Sequence, residues 1–67
     1  MVDELDIYRT AQLMVNQHGH DAPIHAAMRQ DQLSASGDVE GANVWRRVLA
    51  TIDVLLVRDR GESQMQQ

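Results

Sequence analysis

The chain has 67 residues, a formal net charge of −4, no Cys and no Phe, and its only aromatic residues are Tyr8 and Trp45. That is one domain, near the lower size at which a chain folds without staples, and it excludes disulfides and thiolate metal sites. All six basic residues are Arg and they are scattered, so the basic stripe of a nucleic-acid binder is missing.

The acidic start, Met1 to Asp6, is followed by no apolar run, which argues against a secretory signal. No stretch approaches the ~18 apolar residues that span a bilayer. The expectation is a cytoplasmic protein with no membrane or nucleic-acid partner and no cofactor. Its apolar side chains are Ala, Val, Leu, Ile and Met almost throughout. Such a core buries little area per residue, and association of copies is a standard remedy.

The first predicted helix covers about residues 3–18. Asp3 is positioned to cap it, and Glu4 and Asp6 fall in the first turn, where negative charge suits the dipole. Ile7, Ala11, Met14 and Val15 recur at helical spacing as its apolar stripe, flanked by Leu5, Tyr8 and Leu13. Gly19 ends it.

Asp21 is the next expected cap. Pro23 sits in the first turn of a helix over about residues 22–36, where its missing N–H costs nothing. The expected stripe of this second helix is weak: Ile24, Ala27, Met28 and Leu33, with Ala26 and Ala35 alongside. Asp31, near that stripe, is placed to pair with an arginine such as Arg47 across a helical hairpin. Gly37 stops the helix, and the short turn Ser36-Gly37-Asp38 makes antiparallel neighbours.

Asp38 caps a third helix over about residues 39–59, with Gly41 in its first turn. Ala42, Trp45, Leu49, Ile52 and Leu56 follow at alternating spacings of three and four, widened by Val48 and Leu55. Trp45, Val48 and Leu49 are the expected core anchors, together with Ala42. Ile52, Val54, Leu55, Leu56 and Val57 are more apolar than a three-helix core needs, which marks them as an expected interface. Arg46-Arg47 and Arg58/Arg60 read as solvated faces and helix-end cations. Residues 61–67, from Gly61 on, are polar and are expected to form a disordered tail. The expected whole is an all-α, compact three-helix domain over residues 1–60.

The junction His18-Gly19-His20-Asp21-Ala22-Pro23 and the turn Gly37-Asp38, Gly41, Trp45 follow the patterns HG-x-D-A-P and GD-x-x-G-x-x-x-W. In this the chain resembles a group of short, uncharacterised bacterial helical proteins, a domain of unknown function, over about residues 5–56. The resemblance implies a compact helical fold and no assigned activity. The turn is also similar to that of a tetratricopeptide helix pair. However, the residue four after Ala42 is Arg46 rather than a large apolar one, and no second unit exists. A lone hairpin is expected.

One cluster has residue types suited to metal chemistry: His18, His20, Asp21 and His25. Imidazole and carboxylate ligate zinc, nickel or copper, and the cluster would converge if the junction folded back. The competing role for Asp21 is a helix cap, and for His18 a partner of helix-end carbonyls. No hydroxyl has an evident activating base and no phosphate loop is present, so catalysis is not expected. The expected function is a protein–protein interaction module, paired with itself or with another helical protein. A small metal-binding or metal-sensing protein is the alternative.

Overall fold

In a computed structural model, residues 3–65 are described for the backbone and residues 3–58 for side chains. The chain is all-helical, with no strand among the described residues. Helix α1 spans Glu4–His18, a 3-10 turn spans Gly19–Asp21, α2 spans Ala22–Ala35 and α3 spans Val39–Met65.

The expectation of three separate helices needs correction. No non-helical residue lies between α1 and α2, because the 3-10 turn joins them directly. They form one bent arm, and α3 is the other. The bend is made at Gly19, whose φ of 58° and ψ of −127° suit glycine, while its N–H donates to the Val15 carbonyl. Asp21 is already helical and its side chain makes no cap bond. Asp3 does precede α1, but again its side chain makes no cap bond. Its carbonyl accepts from the Ile7 N–H at 3.1 Å.

The turn between α2 and α3 follows the local chemistry closely. Gly37, at φ 86°, donates to the Ser34 carbonyl at 3.1 Å, and Asp38 N–H donates to the Leu33 carbonyl at 2.8 Å. These two bonds satisfy the last carbonyls of α2 in the arrangement glycine favours there. Asp38 Oδ1 then accepts the Gly41 N–H at 2.9 Å and caps α3. A Cβ at position 41 would stand 2.5 Å from Asp38 Oδ2. The group that approaches Gly41 is therefore the capping carboxylate.

Both α1 and α2 lean on α3 and touch each other sparingly. Each helix contributes an i, i+4 pair to the core: Ile7 and Ala11, Ala22 and Ala26, Val48 and Ile52. Met14, Val15, Trp45, Leu49, Leu55 and Leu56 pack around this cluster, half-buried. Ala42 is buried as well.

The expected stripe of α2 is overturned. Ile24 and Met28 are 59% and 53% exposed, and the residues turned inward are Ala22 and Ala26. The alanines let α2 approach α3 closely, so the roll of α2 is set by its small side chains.

Helical backbone continues through Gly61 to Met65, so the expected stop at Gly61 is not made. A single glycine costs a helix only about 1 kcal/mol, and no proline follows it. The expected disordered tail otherwise concerns side chains past Arg58 and the residues Gln66 and Gln67, which lie outside the described residues.

Candidate interaction surface

Twenty-seven residues make α3 about 40 Å long at ~1.5 Å per residue, against about 20 Å for the 14 residues of α2. The shorter helices cannot cover it. Burial along α3 accordingly ends at Ile52: from Asp53 to Arg58 every side chain is half-buried or exposed.

Of the five expected interface residues, Ile52 must be withdrawn. It is completely buried, against Val48 and the alanines of α1 and α2, and offers nothing to a partner. Leu55 and Leu56 give part of their surface to the same cluster. Val54 and Val57 stand free, 57% and 64% exposed. Among the core anchors, Val48 is fully buried, while Trp45 and Leu49 are half-buried at the rim of the cluster.

Beside this face lies an open groove of about 630 Å³ between the start of α1 and the middle of α3. Glu4, Leu5, Ile7 and Tyr8 line one side; Arg47, Ala50 and Thr51 line the other. The Thr51 hydroxyl is taken up by its own helix, donating to the Arg47 carbonyl at 3.0 Å. What remains polar is at the ends of exposed side chains: the Glu4 carboxylate, the Arg47 guanidinium and the Tyr8 phenol. Arg47 thus lines the α1 side, and the expected pair with Asp31 of α2 is not formed.

Ala50, Val54 and Val57 recur at spacings of four and three, about 180° around the helix from Val48 and Ile52. Ala50 belongs to this stripe and to the groove, so the two are continuous. Leu5, Tyr8 and Ala50 were not singled out for binding from the sequence. The signal for Ala50 was present in its period with the two valines, but alanine reads as filler until its neighbours are known. Ile24 and Met28 form a separate exposed pair on the outward face of α2.

The histidines do not assemble a metal site. His18 and His25 stack, with ring centroids 3.8 Å apart and planes 21° from parallel. An imidazole nitrogen directs its lone pair in its own ring plane, with a metal about 2.0–2.1 Å away. Two nearly parallel planes at this separation share no such point. His20 and Asp21 are exposed and do not join them. Among the described residues no three His, Asp or Glu side chains come together to hold a metal ion. The stack instead ties the end of α1 to the start of α2 across the 3-10 turn.

Comparison with family models, curated proteins and solved structures gives no match. Among the described residues no helix is long and apolar enough to cross a membrane.

Proposed function

We propose that this chain is a helical interaction module that associates with itself through the outer face of the C-terminal half of α3. The observation that carries this is an inversion of the usual partition. The large apolar side chains in the buried core are Ile7, Val48 and Ile52, and the other buried positions are alanines. Among the described residues, eight large apolar side chains, Val54 and Val57 among them, are exposed. Single exposed apolar residues are ordinary, but rows at helical spacing on an uncovered helix mark a surface that meets another protein.

A binding role in place of a catalytic one is part of the proposal. A cytoplasmic setting is part of the proposal too, and the Cys-free composition is compatible with it.

Sedimentation equilibrium over a concentration series tests the proposal. The wild-type chain is expected to dimerise, and a Val54→Glu/Val57→Glu double variant to remain monomeric with its helicity unchanged. Both positions are exposed, so the folded monomer tolerates the charges. A wild-type chain that is monomeric up to millimolar concentration overturns the proposal.

A further inference from the structure

We infer that the occupant of the α1–α3 groove is the α3 stripe of a second copy, in a two-fold antiparallel pair centred on Ala50. The inference rests on the self-association just proposed and specifies where and how it occurs. Groove and stripe lie side by side on one chain and share Ala50. A two-fold axis at that residue therefore lets each copy give its stripe and receive its partner's. Ala50 on the axis also allows the two α3 helices to approach closely.

Charge selects the direction. With α3 antiparallel about Ala50, Asp53 of each copy comes level with the Arg46-Arg47 pair of the other. Arg58 comes towards the first turn of the other copy's α1, where Glu4 stands at the groove. Every such contact occurs twice by symmetry. A parallel pair in register would instead set Arg46 and Arg47 level with their own copies, and like charges in register repel. All five of these side chains are exposed and available. Val54 and Val57 then meet Leu5 and Tyr8 of the opposite groove, which removes four exposed apolar side chains per copy from water.

Because the chain has no cysteine, one introduced thiol reports on one contact. Ala50→Cys places two thiols across the axis, within the ~4.4–6.8 Å Cα separation a disulfide requires. Asn43→Cys lies one heptad away on the same face, about 20 Å from its own copy at ~1.5 Å per residue for each chain. Under mild oxidation the Ala50→Cys chain is expected to run as a covalent dimer and the Asn43→Cys chain as a monomer. Leu5→Glu, which alters α1 only, is expected to weaken the dimer at least tenfold in sedimentation while leaving helicity intact.

Wild-type chain that stays monomeric overturns both this pairing and the proposed function. A dimer that Val54→Glu/Val57→Glu dissolves, but that Leu5→Glu leaves unchanged or Ala50→Cys fails to link, overturns the pairing alone. Linking of Asn43→Cys as readily as Ala50→Cys overturns the antiparallel register.

Discussion

Asp38 and Gly41 act as one unit. The carboxylate that accepts the Gly41 N–H occupies the space a Cβ at position 41 would need. Gly41→Ala therefore gains about 1 kcal/mol in helix propensity and gives up much of a cap worth about 1 kcal/mol. The single variant should be nearly neutral. Asp38→Ala should cost about 1 kcal/mol in the wild-type background and far less when Ala already stands at 41. Urea unfolding of the four chains checks this, and additive effects would contradict it. This cap was legible from the sequence, since aspartate after glycine at a helix start is a strong local signal. The caps expected of Asp3 and Asp21 were not made. For Asp21 the reason is that the chain had already entered a 3-10 turn, a choice governed by how two helices meet and invisible to a local rule.

At the scale of the element, α2 shows why apolar period alone misleads in short helices. Two rows compete on it: Ile24 with Met28, and Ala22 with Ala26. Reading by side-chain size selects the first, whereas packing on α3 selected the second, since contact at close range rewards smallness. The consequence is measurable. Ala26→Leu should destabilise the chain by about 1–3 kcal/mol through overpacking, while Met28→Gln should change stability by less than about 0.5 kcal/mol. The opposite order in urea midpoints would place α2 the other way round. In α1 the expected stripe of Ile7, Ala11, Met14 and Val15 does turn inward, whereas in α3 the buried pair is Val48 and Ile52, one expected only to widen the stripe and the other expected at the interface. The interface estimate failed at Ile52 for a related reason. The sequence shows where an apolar row runs but not where the covering helices stop.

For the molecule as a whole, the architecture was readable as all-helical from three periodic segments and their glycines. That the first two segments fuse into one bent arm was not readable, because Gly19 looked like an ordinary stop. The proposed binding surface was half visible. Val54 and Val57 declared themselves by composition, but the groove is made by α1 arriving beside Ala50, a long-range contact that no local pattern encodes. Neither was the fate of the histidines: adjacency in sequence produced a stacked pair and two solvated neighbours.

The joints of this fold are short, three residues in the 3-10 turn and another three from Ser36 to Asp38 between α2 and α3. Little loop entropy has to be spent before the helices meet, which places folding in the microsecond-to-millisecond range. A temperature-jump relaxation slower than about 100 ms would contradict this. Speed carries a consequence when the core is thin. A folding time of about one millisecond and a stability of ~4 kcal/mol imply that an isolated copy opens roughly once a second. In the pair proposed above, opening would wait for the copies to part, and the persistence of each chain would be inherited from its neighbour and rise with abundance.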